Sequence, residues 1–403
     1  MRVCMVAYSF YESDNRVMRY AEALAARGDE VEVFALRREG RSKQEVLNGV
    51  RVFRIQSRVK NEKAQWSYLF RIVIFFLKSM VLVSAKHLRK PYRFIHVHSV
   101  PDFLVFAVWL PRFTGAKVCL DIHDLLPEFY SSKFQSSNKS VTFRLLQFVE
   151  LASCSFSDHV IAANHIWQKK LIARSVPASK CSVFINYPDR SIFQQHGRTR
   201  VDDKIIVIYP GTLSPHQGLD TAIRAFAKLR EEAPPNAEFH IYGEGSAKES
   251  LVQLTRDLQL EDRVFFRETI PLREMAQIME NADLGVVPKR NDTFGDEAFS
   301  TKILEFMAMG VPVVVSETTV DRYYFNDEVV TFFRSGDVED LFSHILALIR
   351  DPQARQRQAS RAQEFVKQSD WDLKKGKYLQ LVDDLVGDRR AVGTIGRESE
   401  TRL

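Results

Sequence analysis

The sequence predicts an α/β protein with two doubly wound, Rossmann-like lobes, each built around a parallel sheet. Apolar runs of strand length alternate with helical stretches along most of the chain, which is the pattern of parallel sheets covered by helices. The alternation stops in a polar, turn-rich run at residues 186–203 and starts again at Ile205. The chain has 403 residues, more than one ordinary core holds. We therefore expect two lobes with a cleft between them, where ligands meet the carboxyl ends of the strands.

The first predicted lobe covers residues 1–190. It opens with an apolar strand at residues 2–7, which is too short for the hydrophobic region of a signal peptide and precedes no small-residue cleavage site. The hydrophobic periodicity predicts the remaining elements of this lobe. Further strands are expected near residues 30–36, 50–55, 94–97, 117–121, 158–162 and 181–185, and helices near residues 15–27, 66–89, 102–113 and 140–156.

The second predicted lobe covers residues 191–369 and begins with the strand at residues 205–208. Further strands are expected near residues 238–242, 263–266, 283–287, 312–315 and 329–333, and helices near residues 218–232 and 337–350. Beyond this lobe, residues 370–387 are expected to form a helix that returns to the first lobe. The polar residues 388–403 are expected to form a disordered tail.

The composition is that of a soluble globular protein, with 45% hydrophobic and 27% charged residues. The formal net charge of +6 favours an anionic surface or substrate, but no nucleic-acid recognition motif is present, so we expect no nucleic-acid partner. The four cysteines show no C-x-x-C or metal-ligand spacing, which indicates reduced thiols in a cytoplasmic setting rather than a disulfide framework or a zinc site. They are Cys4, Cys119, Cys154 and Cys181.

The most informative motif is the run at residues 296–312, which leads into an apolar strand. Ser300 is a plausible N-cap of a helix that Gly310 and Pro312 stop. On this helix Glu305 shares a face with Thr301 and Lys302, which precede it by four and three positions, and Glu297 lies in the preceding loop. A cation, a hydroxyl and two carboxylates at a helix N-terminus suit a ligand with phosphate and sugar hydroxyls. A surface helix with a polar face would show the same spacing.

These residues resemble the E-x7-E motif of retaining, nucleotide-sugar-dependent glycosyltransferases of family 4, which have the GT-B fold. Glu297 and Glu305 match the two glutamates, and the Gly-Val-Pro-Val-Val that begins at Gly310 also matches. The resemblance covers roughly residues 1–380. It implies that Glu305 holds the ribose hydroxyls of the nucleotide and that Glu297 contacts the donor sugar near the reacting carbon.

A second candidate site follows the predicted strand at residues 117–121, where polar side chains stand at its carboxyl end. The resemblance places the family's histidine at His123, where it is expected to bond the donor sugar and help stabilise charge as the glycosidic bond breaks. A structural histidine is the alternative. Asp121 and Asp124 either hold the residues of this site in position without contacting the ligand, or cap the next turn. His96 and His98 flank a strand end and are weaker candidates.

A third candidate site is the strand-to-helix turn at residues 209–220, because a turn with glycines such as Gly211 lets backbone N–H groups approach a diphosphate. Here the sequence departs from its family. The usual pattern has arginine where Thr212 stands and lysine where Gln217 stands, and these two cations normally bind the diphosphate. The standard phosphate clamp is therefore missing.

Other cations could supply the missing charge. Lys302 is one, and Lys289 and Arg290 at the end of a predicted strand are two others, because charge-assisted bonds to phosphate are strong. The alternative is that Lys289 and Arg290 belong to a solvated loop. The turn that begins at Gly243 lacks the third glycine of a dinucleotide fold, which argues against nicotinamide or flavin. The resemblance treats this turn as the family's own G-x-G.

A further feature concerns location, since the stretch from Lys63 to Pro101 contains no acidic residue. Residues 66–90 predict an apolar helix that is too short and too charged to span a bilayer. It either lies on an anionic membrane at the cytoplasmic face or is an ordinary helix that covers the sheet. A basic stripe beside its apolar face is formed by Arg71, Lys78, Lys86 and Arg89.

Together these patterns predict a glycosyltransferase that moves a sugar from a nucleotide diphosphate sugar to an acceptor with retention of configuration. The resemblance implies a lipid-linked or polysaccharide acceptor. No D-x-D metal motif is visible, so we expect neither a metal nor a cofactor. Two alternatives remain: a nucleotide-sugar epimerase of the same fold, and a catalytically inactive nucleotide-sugar-binding module.

Overall fold

The computed structural model describes residues 1–57, 65–134, 140–369 and 371–387. The chain divides into two compact units. Among the described residues, the first unit comprises Met1–Asn186 and residues 374–387, and the second comprises Tyr187–Leu373. The tail expected at residues 388–403 lies outside the described residues.

The first unit is built on an eight-stranded sheet with the order β3-β4-β2-β1-β5-β6-β7-β8. Its strands are β1 (Arg2–Ala7), β2 (Glu30–Arg37), β3 (Gln44–Leu47), β4 (Val50–Ser57), β5 (Phe94–His98), β6 (Lys117–Ile122), β7 (His159–Ala162) and β8 (Cys181–Val183). Its helices are α1 (Asn15–Ala26), α2 (Gln65–Arg89), α3 (Trp109–Phe113), α4 (Leu126–Phe134), α5 (Val141–Phe156) and α6 (His165–Arg174).

This sheet is mixed, because β3 and β4 form an antiparallel hairpin at its edge while the other pairs are parallel. The connection is Asn48-Gly49, and both residues have positive φ angles, 46° and 80°. Such a turn matches the twist of a two-residue hairpin. The doubly wound parallel sheet is as expected, and only the edge strand β3 was not predicted, because it is short and largely exposed and so carries no core pattern.

The prediction of a single helix at residues 102–113 was wrong. The chain instead forms the 3-10 helix Asp102–Val108 followed by α3. Pro111 has no N–H group, so a continuous α-helix would lose its bond to the carbonyl of Ala107.

The last helix, α14 (Trp371–Val386), belongs from Lys374 onward to the first unit. The hydroxyl of Tyr378 bonds Nδ1 of His96 at 2.9 Å, and the ring of Tyr378 packs 4.3 Å from that of Tyr20. Arg27, the C-cap residue of α1, pairs with Asp383 at 2.8 Å. These contacts attach α14 to the sheet and to α1.

The second unit is built on a six-stranded parallel sheet with the order β11-β10-β9-β12-β13-β14. Its strands are β9 (Ile205–Pro210), β10 (Ala237–Tyr242), β11 (Val264–Arg267), β12 (Leu284–Val287), β13 (Val313–Glu317) and β14 (Thr331–Arg334). Its helices are α7 (Leu219–Glu232), α8 (Lys248–Asp257), α9 (Leu272–Glu280), α10 (Thr301–Ala308), α11 (Thr319–Tyr324), α12 (Val338–Arg350) and α13 (Pro352–Val366).

In this sheet the strand order reverses between β9 and β12, since β9 is first in sequence but lies in the middle. Such a reversal creates a crevice at the carboxyl ends of the two strands, where α/β proteins bind ligands. The run expected to be a linker, residues 186–203, has no strand or helix but is attached to this unit. For example, Arg198 pairs with Asp283 at 2.7 Å, and the amides of His196 and Gly197 donate to Glu280.

The helix α2 has two different faces. Ile72, Phe75 and Val83 are buried, so one face of the helix covers the sheet. This agrees with the alternative of an ordinary helix that covers the sheet. The basic stripe is not uniform, however. Lys86 lies 3.2 Å from the buried carboxylate of Glu32 and over the ring of Phe53, so it is held against the unit and does not extend the predicted basic stripe. Residues 58–64, including Lys63, lie outside the described part of the chain.

Candidate active site

In the second unit, two glycine turns meet beside the crevice between β9 and β12. The N–H of Gly211, after β9, donates to the carbonyl of Tyr242 at the end of β10, at 2.8 Å. Gly243 follows with a φ of +153°, and a Cβ at this position would lie 1.8 Å from the carbonyl oxygen of Gly211. Only glycine fits there, so the two turns form one compact platform with a bare backbone.

Lys302, in the first turn of α10, reaches this platform. A Cβ on Gly211 would lie 2.9 Å from Cε and 3.1 Å from Nζ of Lys302, and Nζ lies 5.1 Å from the centre of the Tyr209 ring. Burial lowers the pKa of Lys302 to about 8, against the opposing effect of Glu305 on the same helix face. A desolvated cation beside a helix N-terminus and a glycine turn is a site that suits an anion.

The turn at residues 211–217 is held by neutral groups where the resemblance expects two cations. The hydroxyl of Tyr209 lies 3.0 Å from the carbonyl oxygen of Thr212 and 3.0 Å from Oε1 of Gln217, and it can donate to either. Gln217 therefore shapes the turn through Tyr209. Tyr209 was not among the residues predicted from the sequence, although a tyrosine next to the last residue of the first strand of a lobe was a visible signal.

Lys289 and Arg290 each pair with an acidic residue of the same unit. Lys289 is buried, which contradicts its placement in a solvated loop, whereas 42% of the Arg290 side chain is exposed. Lys289 is only 2% exposed, donates to the carbonyl of Ala298 at 2.7 Å and pairs with Asp321 at 2.9 Å. Arg290 holds Asp220 through two bonds of 2.7 and 2.6 Å. Their charges are compensated inside the unit, which leaves Lys302 as the candidate for the phosphate.

The loop before α10, residues 291–300, is fixed by two aspartates that were not among the predicted site residues. Asp292 accepts bonds from the amides of Phe294 and Gly295 at 2.9 and 2.7 Å. Asp296 accepts two bonds of 2.7 Å, from the amide and the hydroxyl of Thr319 in α11. Glu297 follows directly and is partly exposed, so its backbone position is determined by its neighbours.

The N-terminus of α10 differs from the expectation in one respect. Ser300 occupies the N-cap position, but its side chain makes no capping bond. The predicted N-cap position of Ser300 is therefore confirmed, but its Oγ is buried and has no hydrogen-bond partner among the described residues. Thr301, Lys302 and Glu305 lie in the first turns of this helix and are all partly buried. The platform and these three side chains thus belong to one edge of the unit.

In the first unit, Asp121 and His123 stand at the carboxyl end of β6, as expected. Asp121 is fully buried and receives two bonds of 2.7 Å from Nε and Nη2 of Arg16 in α1. Burial opposes its charge, but Arg16 and His123 hold the pKa of Asp121 well below its ordinary value. Arg16 also donates to the carbonyl of Phe184 at 2.7 Å. Arg16 was not among the predicted site residues, because no local motif distinguishes it from other helical arginines.

His123 is partly exposed, and its Nε2 lies 3.2 Å from Oδ2 of Asp121. Burial acts to lower the pKa of His123, but the charge of Asp121 and the bond to it have the larger combined effect and raise it. The amide of His123 donates to the hydroxyl of Ser99 at 3.2 Å. Asp124 also lies in this turn, and burial raises its pKa.

His96 lies within β5 and His98 is the last residue of this strand, and both side chains are buried. Burial lowers the pKa of both histidines. Nδ1 of His98 lies 3.2 Å from Nε2 of His123 and 3.3 Å from Asp121. His96, His98 and Asp121 have the spacing of metal ligands among the described residues, but Arg16 already occupies both oxygens of Asp121. A guanidinium at this position opposes a cation, so we assign no metal here.

Two family models match the chain and cover most of it between them. A model described as "Glycosyl transferase 4-like domain" matches residues 13–186, and one described as "Glycosyl transferases group 1" matches residues 191–365. The D-inositol 3-phosphate glycosyltransferase of Thermomonospora curvata is 24% identical over 392 residues, which span 91% of this chain and 88% of the relative. A shorter match to another relative, 29% identical over 159 residues, spans 39% of each chain.

Solved structures share the fold. Sucrose-phosphate synthase from Thermosynechococcus elongatus superposes with a TM-score of 0.81 at 19% identity and covers 96% of this chain and 99% of that chain. Anabaena HepE, solved in complex with UDP-glucose, superposes with a TM-score of 0.70 at 16% identity over 95% of this chain and 100% of that chain. With both domains matched in order, the chain belongs to the group 1 glycosyltransferases and has the two Rossmann-like lobes of the GT-B fold.

Proposed function

We propose that this glycosyltransferase takes its sugar from a nucleotide diphosphate sugar and transfers it with retention of anomeric configuration. The observation that carries the proposal is the position of Lys302, a partly buried cation against the bare backbone of Gly211 at the switch point of the second unit. Backbone amides, a helix N-terminus and one cation together provide the charge that a diphosphate needs as it departs.

The two glutamates have different roles in this proposal. Glu305 accepts bonds from the ribose hydroxyls, and Glu297, in its fixed loop, contacts the donor sugar, as the resemblance to the E-x7-E motif implies. The structure of HepE contains UDP-glucose, which makes UDP-glucose the first donor to test. Fixed charges stabilise the leaving group, so the proposed reaction requires no metal.

His123 is the residue of the first unit that we assign to the reaction. Its raised pKa, caused by Asp121 against the effect of burial, keeps it protonated to higher pH and able to donate to a sugar oxygen. We further propose a lipid-linked or polysaccharide acceptor and a cytoplasmic enzyme that works at the inner face of the membrane. The resemblance to family 4 supports this acceptor class.

One observation favours a second candidate, the catalytically inactive nucleotide-sugar-binding module. Thr212 and Gln217 replace the two cations of the usual phosphate clamp. The side chain of Gln217 lies against the hydroxyl of Tyr209 and stabilises the turn. A module of this kind would bind a nucleotide sugar without cleaving it.

A two-step experiment tests the proposal. A panel of nucleotide sugars that begins with UDP-glucose is screened by thermal shift, because a ligand that binds the native state raises Tm. The stabilising donor is then incubated with candidate acceptors, and release of nucleoside diphosphate is measured. Acceptor-dependent release with a retained anomeric signal in NMR supports the proposal. Binding without release identifies the inactive module, interconversion of sugars without release identifies an epimerase, and no binding to any donor contradicts all three.

A further inference from the structure

Three neighbouring chain segments lie on one side of the first unit's sheet. α2 connects β4 to β5, residues 102–113 connect β5 to β6, and α5 leads from β6 to β7. In the strand order all three connections run in the same direction. Right-handed crossovers that run in one direction lie on one side of a sheet. α2 and α5 both pack against the helix Asp102–Val108, which lies between them.

Along α2, large apolar side chains point away from this sheet. Phe70, Leu77 and Val81 are exposed, whereas Phe75 and Val83 are buried. At about 100° per residue, the three exposed side chains lie within about 40° of one another on the helix. The helix therefore carries one apolar stripe toward the sheet and a second one toward solvent.

The neighbouring segments continue this exposed apolar surface. Phe113 of α3 is 76% exposed, and on α5 Leu145 is 59% and Phe148 is 65% exposed. Single exposed apolar residues are ordinary, but a set that spans adjacent helices marks an interaction surface. We name this surface the three-helix face, and we define it by Phe70, Leu77, Val81, Phe113, Leu145 and Phe148.

The charges around the three-helix face have one sign. In the described parts of its three segments only Asp102 and Glu150 are acidic, and both are buried. Glu150 is also paired with Arg174. The exposed charged residues of the same segments are cations, Lys78 and Arg89 on α2 and Arg144 on α5. An exposed apolar surface with cations and no exposed carboxylate complements an anionic surface that is apolar underneath.

We propose that the three-helix face docks on an anionic lipid bilayer. The apolar side chains enter the interface between headgroups and acyl chains, and the cations contact the lipid phosphates. No described helix is long and apolar enough to cross a membrane. The sequence indicated only α2 for such a contact, and the three-helix face adds α3 and α5. The inference concerns the first unit alone and does not depend on the sugar chemistry, although it would place the enzyme beside a lipid-linked acceptor.

The test uses the full chain and sedimentation with vesicles of phosphatidylcholine, alone or mixed with phosphatidylglycerol. We expect binding to the mixed vesicles that weakens as salt is raised, because salt screens the contribution of the cations. The double variant Leu145→Glu/Phe148→Glu should bind at least about tenfold less tightly, because it places two carboxylates at the interface. The matched control is Val46→Glu/Val201→Glu, which adds the same charge at two exposed valines outside the face and should bind as the parent does.

Thermal unfolding and the thermal shift with UDP-glucose are recorded for all variants. They show whether the face variant is folded and whether it still binds donor, so a failure of donor binding in the parent counts against the proposed function and not against this surface. A parent that ignores mixed vesicles overturns the proposal, as does an equal loss of binding in the control. If the parent instead forms dimers that the face variant disrupts in light scattering, and vesicles are not bound, the face is an interface between copies and the proposal is wrong.

Discussion

Arg16 and Asp121 form a buried, bidentate ion pair, with Nε and Nη2 of the arginine each 2.7 Å from a carboxylate oxygen. The carboxylate therefore stays ionised although it is fully buried, and Oδ2 also lies 3.2 Å from Nε2 of His123. Arg16 thus acts on His123 through Asp121, which contacts both side chains. This chain of contacts suggests how α1 positions a side chain at the end of β6.

The first prediction concerns this pair. Asp121→Asn should lower the pKa of His123, since the charge that raises that pKa is removed. It should also destabilise the fold by roughly 3–5 kcal/mol, because Arg16 would be left buried without its partner. Histidine NMR titration and denaturant unfolding measure the two effects. Asp158→Asn, which removes the partner of Arg112, is the control and should leave the His123 titration unchanged. An unchanged His123 midpoint in Asp121→Asn would contradict the assignment.

The same pair predicts a pH dependence of stability. The native pKa of Asp121 is depressed, so its contribution to stability is fully present above the ordinary value of about 3.9 and is lost as pH falls below it. The stability difference between the parent and Asp121→Asn should therefore shrink in acid. Unfolding curves from neutral pH downward measure this difference, and a constant gap would count against an ionised Asp121.

The second prediction separates the two glutamates. Glu305→Ala should raise KM for the donor about tenfold with a smaller effect on kcat, because a ribose contact is made equally in the ground state and the transition state. Glu297→Ala should lower kcat by about a hundredfold, because a contact at the reacting carbon acts in the transition state. Steady-state kinetics with the identified donor decide. Glu268→Ala, an exposed carboxylate of the same unit, is the control. Parent-like kinetics in either site variant would refute that role.

The third prediction concerns Lys302. Lys302→Ala should weaken binding of the nucleoside diphosphate by roughly ten- to a hundredfold and leave nucleoside binding nearly unchanged, because the lost bond goes to a charged group. With a pKa of about 8, Lys302 loses its proton as pH rises through 8, so diphosphate affinity should fall between pH 7 and 9. Calorimetric titrations at several pH values test both statements.

Two variants sharpen that test. Lys302→Arg keeps its charge throughout this range, so its affinity should not fall with pH. Lys228→Ala removes an exposed cation paired with Glu339 in the same unit and should bind diphosphate as the parent does. Equal losses for nucleoside and nucleoside diphosphate in Lys302→Ala would show that Lys302 is a structural residue.

The fourth prediction concerns the glycine platform. Gly243→Ala should abolish donor binding and lower Tm, because its Cβ would lie 1.8 Å from the carbonyl oxygen of Gly211. Gly336→Ala is the matched control, since Gly336 also has a positive φ, of +80°, but no atom lies within 4 Å of the added carbon. The control substitution should lower the free energy of unfolding by about 1 kcal/mol and leave donor binding intact. Thermal shift with and without donor compares the two. Equal effects would mean that backbone strain, and not the contact with Gly211, decides.

Local sequence patterns predicted the architecture well. The strands of both units were expected near their observed positions, except for β3, because buried parallel strands appear as apolar runs bounded by turn residues. β3 was missed although its Asn48-Gly49 turn is a strong hairpin signal that the sequence displays. The helix α10 and its stop at Gly310 were also expected, since helix formers and a glycine determine them locally.

The sequence alone thus determined where the elements lie and that a charged helix start follows a strand of the second unit. Only the tertiary structure decided which charges are available there. Lys289 and Arg290 looked equivalent to Lys302 in sequence, but Asp321 and Asp220 neutralise them. Arg16 reaches Asp121 across 105 positions of the chain, and the three-helix face gathers three separate segments. Such pairings depend on strand order and on the side of the sheet that each crossover takes, which no local periodicity encodes.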